Sequence, residues 1–296
     1  MSSAQYLQPD AASQTAATGQ NVTSDKAGTA PRPKRVRLHH LSAAKTEGRK
    51  LTMLTAYDAL TARIFDEAGV DMLLVGDSVG NVMLGYSSTL PVTIDDMVHH
   101  VGAVARGTSR ALIVGDMPFG SYEADAREGY ANAVRLMKAG AHAIKLEGGA
   151  ARVEAVRTLT AGAIPVMGHL GYTPQSEHAL GGPRMQGRGE QRAQMLADAL
   201  ALQEAGVFAL VLEMVPADIA AEITQALDIP TIGIGAGPDT DGQVLVWSDM
   251  AGMTEWTPRF VRRFAELGAA LREAAADYIA SVENGSFPSE DHYHAQ

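Results

Sequence analysis

Met72-Leu73-Leu74-Val75-Gly76-Asp77-Ser78-Val79-Gly80-Asn81 is an apolar run that stops abruptly at Gly-Asp-Ser. A short apolar run bounded by turn residues reads as a strand buried on both faces. The Asp77 carboxylate then stands at the strand's C-terminal end. The chain repeats this plan. Glu67-Ala68-Gly69 leads into the Asp77 strand, and Lys138-Ala139-Gly140 leads into Ala143-Ile144-Lys145-Leu146-Glu147. Thr160-Ala161-Gly162 leads into Ile164-Pro165-Val166-Met167-Gly168-His169, and Glu204-Ala205-Gly206 into Phe208-Ala209-Leu210-Val211-Leu212-Glu213. Each time, a glycine suited to a helix C-terminus precedes a strand that ends in an ionisable residue. From glycine to that residue the chain runs eight positions for Asp77 and seven for Glu147, His169 and Glu213. A parallel barrel gathers such strand ends on one face, around one pocket.

Working outward, eight strands alternating with helices can be traced. They begin at Leu51-Thr52-Met53-Leu54-Thr55 and include Ala111 to Asp116, Thr231 to Ile234 and Gln243 to Val246. Asp58 and Thr93 are placed to cap helices. In the helix after Asp58, Leu60, Ile64, Phe65 and Ala68 share one face. A long closing helix is expected from Thr257-Pro258, with Phe260, Phe264, Leu267, Leu271 and Tyr278 as its apolar contacts. The architecture implied is an α/β chain forming a (β/α)₈ TIM barrel, with a doubly wound open sheet as the alternative. Residues 1–33 are rich in Ala, Ser, Thr, Gln and Gly and read as a disordered tail. The catalytic barrel domain is then 34–296.

Bulk properties narrow the function. A chain of 296 residues fits one α/β barrel with extras as well as two small domains, and its 46% hydrophobic content supports a large core. A net charge of −10 argues against a nucleic-acid partner, which usually meets a basic face. The absence of cysteine excludes disulfides, thiolate catalysis and zinc-thiolate sites. No apolar run approaches membrane-spanning length, and the N-terminus lacks a signal-peptide core. A cytoplasmic enzyme is the default expectation.

Asp77, Asp116 and Glu147 end the second, third and fourth strands. Three carboxylates at one rim cannot all be charged close together without a cation or raised pKa values. Hard oxygen donors point to Mg²⁺; the alternative is that these acids cap helices or pair with arginines. Lys145 shares a strand face with Glu147. It is placed to bind a substrate carboxylate, to form a Schiff base, or simply to neutralise the acids. His169 suits a hydrogen-bond donor to a substrate oxygen, or a structural role. Glu213, two strands beyond Glu147, suits a general base; a salt bridge to Arg184 or Arg188 is the alternative. Gly233-Ile234-Gly235-Ala236-Gly237 matches no P-loop or dinucleotide pattern and reads as close backbone approach to a ligand. The loop over 171–189 is long and Gly-rich, which usually marks function or disorder.

Together these residues resemble the ketopantoate (3-methyl-2-oxobutanoate) hydroxymethyltransferase family. The resemblance rests on Thr55-Ala56-Tyr57-Asp58, Val75-Gly76-Asp77-Ser78, Thr89-Leu90-Pro91-Val92-Thr93 and Asp116-Met117-Pro118-Phe119. It continues through Ile144-Lys145-Leu146-Glu147-Gly148-Gly149, the run from Gly168 to Ser176, Gln186-Gly187-Arg188, and Gly233 to Gly237 followed by Asp241-Gly242-Gln243. It covers roughly Lys34 to His292. Glu177 and His178, and the longer N-terminal tail, depart from the usual pattern. The resemblance implies a (β/α)₈ barrel assembled as a homodecamer of two pentameric rings. It implies Mg²⁺ held by Asp77, Asp116 and Glu147, and substrate contacts from Asp77, Ser78, Asp116, Lys145 and a pocket histidine matching His169. Glu213 matches the family's proposed base. The implied reaction joins a one-carbon unit from 5,10-methylenetetrahydrofolate to 3-methyl-2-oxobutanoate, giving 2-dehydropantoate for pantothenate and coenzyme A synthesis. A Mg²⁺-stabilised enolate would be its intermediate. The rivals are a Mg²⁺-dependent lyase or mutase of the phosphoenolpyruvate-type barrels, a Schiff-base aldolase using Lys145, and a non-catalytic binding barrel.

Overall fold

The structure, a computed structural model, describes residues 33–294. The expected tail, 1–33, lies outside the described residues except for Pro33. In chain order the elements are α1 (Leu38–Thr46), β1 (Leu51–Thr55), α2 (Ala59–Ala68), β2 (Met72–Val75), α3 (Val79–Val82) and α4 (Ile94–Gly107). They continue with β3 (Leu112–Asp116), α5 (Ala126–Ala139), β4 (Ala143–Glu147), α6 (Val153–Ala161), β5 (Val166–Gly171) and α7 (Glu177–Leu180). Next are α8 (Gln191–Ala205), β6 (Ala209–Glu213), α9 (Ala217–Ala226), β7 (Thr231–Ile234), β8 (Gly242–Leu245), α10 (Trp247–Met250) and α11 (Leu267–Glu283). The strands close in order into one parallel barrel, with β8 pairing back onto β1. Among the described residues no helix is long and apolar enough to cross a membrane.

Alternation within each strand divides the core in two. Met72 and Leu74 of β2, and Leu112 and Val114 of β3, belong to the barrel interior. Leu73, Val75 and Ile113 point the other way and pack under the helices. This is why these strands read as unbroken apolar runs. Three of the four repeated glycines, Gly69, Gly140 and Gly206, end their helices in the left-handed region, with φ of 89°, 119° and 101°. The fourth unit departs: Gly162 has a negative φ of −82°, and Ala163 takes the positive φ of 63°.

Four features stand apart from a regular eightfold repeat, the second and fourth of them as corrections to the sequence reading. First, α1 has no clear apolar period, yet Val36, Leu41 and Ala44 join the barrel-interior cluster and plug its N-terminal end. Burying a leucine contributes about 1.5–3 kcal/mol, so this weak sequence pattern carries real packing energy. Second, α2 turns Leu60 and Ile64 outward at 68% and 54% exposure. Its buried face instead carries Ala62 and Asp66, whose carboxylate accepts from the backbone N–H groups of Ser109, Arg110 and Ala111, just before β3. Third, no helix separates β7 from β8, and their ends are tied by Asp241, which accepts from Thr231 N and from Lys45 Nζ. Fourth, the closing helix begins at Leu267 rather than near Thr257, and the five expected contacts, Phe260 to Tyr278, are 38–63% exposed on the single chain.

Candidate active site

Barrel register builds the site. Asp116 pairs with Lys145 across β3 and β4, and Glu147 pairs with His169 across β4 and β5. His169 then pairs with Val211, two residues before Glu213 on β6. Paired residues of parallel strands share a face, as do residues two apart along one strand. The register therefore forces Asp116, Lys145, Glu147, His169 and Glu213 into one inward row. All five line a pocket with about 530 Å³ of empty space, closed below by Leu74, Val211 and Val244. Asp77 and Ser78 lie on its rim just past β2.

The row alternates in charge. Lys145 Nζ stands 2.8 Å from Asp116 Oδ1 and 3.5 Å from Glu147 Oε1. His169 Nδ1 lies 3.2 Å from Glu147 Oε1, while its Nε2 faces Glu213 Oε2 at 3.3 Å. The second contact is a charge contact rather than a well-directed hydrogen bond. Burial opposes charge on Lys145, yet Asp116, Glu147 and Asp77 raise its pKa above the ordinary lysine range. A lysine held protonated between two carboxylates is a poor nucleophile, which counts against the Schiff-base alternative. Burial and Lys145 also oppose an imidazolium at His169, but Glu147 and Glu213 outweigh them and raise it to about 9. Both ring nitrogens then carry protons, each facing a carboxylate. His169 thus orients the acids on either side, and the substrate contact expected of it requires one of these pairs to open. Glu213 pairs with this histidine and not with Arg184 or Arg188.

Asp77 is the exception in this balanced row. Its backbone N–H donates to Asp116 Oδ2 at 3.2 Å, and its Oδ2 accepts from the Gln175 amide at 2.9 Å. No cationic side chain among the described residues pairs with it. Burial, then the charges of Asp116 and Glu147, push its carboxyl well above the usual range. Burial also raises Asp116, against the pull of Lys145. Glu147 moves down: burial opposes this, but Lys145 and His169 prevail. Both Glu147 oxygens are engaged, Oε1 by Lys145 and His169 and Oε2 by the Gln175 backbone N–H. Among the described residues no ready cage of three His, Asp or Glu side chains is set for a metal. Mg²⁺ does not need one, since it usually takes one or two carboxylates with substrate oxygens and waters. The buried, uncompensated Asp77 beside Asp116 fits such a cation by charge and by donor type.

The row-end residues Asp77, Asp116, Lys145, Glu147, His169 and Glu213 could be read from sequence, but two further residues could not. Gln175, in the loop over 171–189, is buried and reaches Asp77, Glu147 and the Met117 carbonyl. Its Oε1 accepts from Tyr122 OH at 2.7 Å, and the same hydroxyl accepts from Glu147 N at 3.0 Å. Gln175 lies within the run from Gly168 to Ser176 that carries part of the family resemblance; nothing local distinguishes Tyr122. Ser78 Oγ lies 2.8 Å from the buried Tyr57 hydroxyl. Met214, directly after Glu213, has a left-handed φ of 49°, a strained choice for a non-glycine residue next to a candidate base. The close approach read into Gly235 and Gly237 is to this chain's own side chains, Phe260 and Ala217.

The raised pKa of His169 sets a pH dependence. Its pairs contribute fully below the unfolded value of about 6.5, and that contribution is lost as pH rises through about 9. Thermal unfolding in EDTA should therefore show a fall in Tm across this window that is clearly smaller in His169→Gln. Equal pH dependence of the two proteins would contradict the assignment.

Residues 35–290 match the family model described as ketopantoate hydroxymethyltransferase. The chain is 55% identical over 269 residues to the 3-methyl-2-oxobutanoate hydroxymethyltransferase of Leifsonia xyli subsp. xyli (strain CTCB07), covering 90% of this chain and 97% of that protein. The enzyme of that name from Mycolicibacterium paratuberculosis (strain ATCC BAA-968 / K-10) is 57% identical over 260 residues, covering 87% of this chain and 91% of its own. Among solved structures, a phosphonopyruvate hydrolase complex with oxalate and Mg++ superimposes with a TM-score of 0.58 at 15% identity, covering 87% of this chain and 93% of that one. A 2,3-dimethylmalate lyase gives 0.56 at 16% identity, covering 89% and 93%. These two likenesses are of fold alone. With the family model spanning nearly all the described residues and relatives above half identity across the barrel, this chain belongs to the ketopantoate hydroxymethyltransferase family.

Proposed function

We propose that this chain transfers a hydroxymethyl group from 5,10-methylenetetrahydrofolate to 3-methyl-2-oxobutanoate, giving 2-dehydropantoate and tetrahydrofolate, a step towards pantothenate. The observation that carries the reading is the inward row ending in Glu213 beside Asp77 and Asp116, in a chain of this family. Asp77 and Asp116 would hold Mg²⁺, with Glu147 completing the acidic set. When bound, the cation supplies Lewis-acid polarisation of the 2-oxo group and so acidifies the adjacent C3–H. Lys145 and Ser78 offer a buried ammonium and a hydroxyl to the substrate's carboxylate and keto oxygens. Glu213 takes the C3 proton, and the His169 imidazolium beside it holds the carboxylate in place. Water adds to the methylene carbon of the folate and both of its C–N bonds break, each nitrogen taking a proton, so that tetrahydrofolate leaves and the carbon remains as an aldehyde-level one-carbon unit. The enolate carbon bonds to that carbon, and the resulting alkoxide takes back the proton held by Glu213. A lyase or mutase reading has only the fold likeness to support it.

Base and carrier act in separable steps. In D₂O with Mg²⁺ and no folate, the native enzyme should exchange the C3 proton of 3-methyl-2-oxobutanoate, followed by proton NMR. Glu213→Gln keeps the shape but not the basicity, and exchange should fall by ~10²–10⁴-fold. Full exchange with lost carbon transfer would move Glu213 to the folate step.

Asp77→Asn and Asp116→Asn should each weaken Mg²⁺ binding in calorimetry and nearly abolish turnover while leaving the circular dichroism of the barrel intact. Near-normal Mg²⁺ affinity in both would remove them as ligands.

We also propose the homodecamer of two pentameric rings. Contiguous exposed apolar side chains mark interaction surfaces, and α11 presents Leu271, Tyr278, Ile279 and Val282 at 46–61% exposure. Analytical ultracentrifugation should find a mass of ten chains; a monomer at micromolar concentration would refute the assembly.

A further inference from the structure

Several stretches of the family motifs are not used by the catalytic row: Gly148-Gly149, Gly171 and Gln186-Gly187. All of them line a second pocket, with about 640 Å³ of empty space, together with the first turns of α8. The two pockets share a wall made of consecutive residues. Glu147 lines the first and Gly148 the second; the same holds for His169 and Leu170, and for Pro174 and Thr173. One or two residues of strand span only ~3–7 Å. The second pocket is also stitched to the base. Tyr172 N donates to the Glu213 carbonyl at 2.8 Å, and Gln186 N donates to the Met214 carbonyl at 3.0 Å. A Cβ at Gly171 would strike that Glu213 carbonyl, so this wall can lie against the base only as glycine.

The pocket's polar groups are arranged on α8. Asp198 Oδ1 accepts from Ala150 N at 3.1 Å and from the Gln194 amide at 2.9 Å. Gln191 Oε1 accepts from Gly187 N at 3.2 Å. Among the described residues, Asp198 Oδ2, the Gln191 amide nitrogen and the Gln194 amide oxygen make no hydrogen bond. That is one carboxylate acceptor, one donor and one further acceptor, beside glycine walls that admit a flat group. Arg184 and Arg188, on the loop that supplies Gln186 and Gly187, form no ion pair among the described residues.

We propose that this second pocket binds the one-carbon carrier, an inference that rests on the hydroxymethyltransferase reading above. A 2-amino-4-oxo heterocycle presents adjacent N–H donors and a carbonyl acceptor along one edge. Asp198 and the Gln194 amide oxygen complement the donors, and the Gln191 amide nitrogen complements the carbonyl. The carrier's carboxylate tail then runs towards Arg184 and Arg188, and its methylene faces the shared wall and the substrate pocket.

Tetrahydrofolate binding to the full-length enzyme, measured by calorimetry, tests this. Asp198→Asn keeps an acceptor for Ala150 N but loses the charge; Gln194→Leu removes the neighbouring amide from an exposed helix position. Asp198→Asn should weaken tetrahydrofolate binding by about 10- to 100-fold, the worth of a hydrogen bond to a charged group, and Gln194→Leu by about 2- to 10-fold, that of a neutral one; each should raise the KM for the methylene donor in step. Folate-independent C3 proton exchange, run in parallel, reports the catalytic centre. Weakened folate binding relative to exchange supports the pocket. Unchanged tetrahydrofolate affinity in both variants overturns it. Loss of exchange in Asp198→Asn would mean that the strand ends moved, and Gln194→Leu then decides. If the native enzyme forms no 2-dehydropantoate from the folate donor, the functional reading itself fails, separately from the pocket.

Discussion

Lys145 Nζ lies 2.8 Å from Asp116 and 3.5 Å from Glu147, with 4% of its side chain exposed. Taking three charges this far out of water is costly, and only their mutual attraction and hydrogen bonds offset it. Without the ammonium, two buried carboxylates would face each other, and Asp77 would add a third. Through Glu147 the same charge reaches His169, and through His169 it reaches Glu213. The site is therefore a single electrostatic unit, in which Lys145, His169 and the acids Asp77, Asp116 and Glu147 set one another's protonation.

That unit depends on a loop as well as on strands. Gln175 donates one hydrogen bond to Asp77 and another to Met117, accepts one from Tyr122, and lends its backbone N–H to Glu147. The segment over 171–189 thus reaches into the barrel mouth instead of lying over it. Its ordered position and the alignment of the acids are coupled, because moving Gln175 away would strip partners from Asp77 and Glu147 together. The same segment supplies one side of the second pocket, so the two halves of the proposed reaction share a structural element.

The helical shell is less regular than the barrel. A helix is missing between β7 and β8, α11 lies beyond an irregular stretch, and α2 presents Leu60 and Ile64 outward. Apolar faces of this kind satisfy a helical period without finding their partner in the same chain. An assembly of chains would supply that partner, which is the physical argument behind the proposed decamer.

Periodicity and turn chemistry were enough to read the barrel from sequence alone. The αβ unit recurs with a glycine seven or eight residues before each ionisable strand end, and the strands are apolar because both faces are buried. The same spacing located Asp77, Glu147, His169 and Glu213 at one rim, since strand direction alone settles which end they occupy; Asp116 joined them as a strand end and Lys145 through its period-two place beside Glu147. Contacts between elements distant in sequence were beyond local reading. Gln175 and Tyr122 are 53 residues apart and meet through one hydrogen bond. The helix α1 has too few apolar positions to announce itself, yet it seals the barrel because Leu41 and Ala44 find the open end. Helical period predicted an apolar face for α2 but not which side the barrel would cover, where the Asp66 carboxylate satisfying three backbone N–H groups decided the rotation. Register, set only when eight strands close, placed His169 between two carboxylates and gave it a charge that its residue type does not determine.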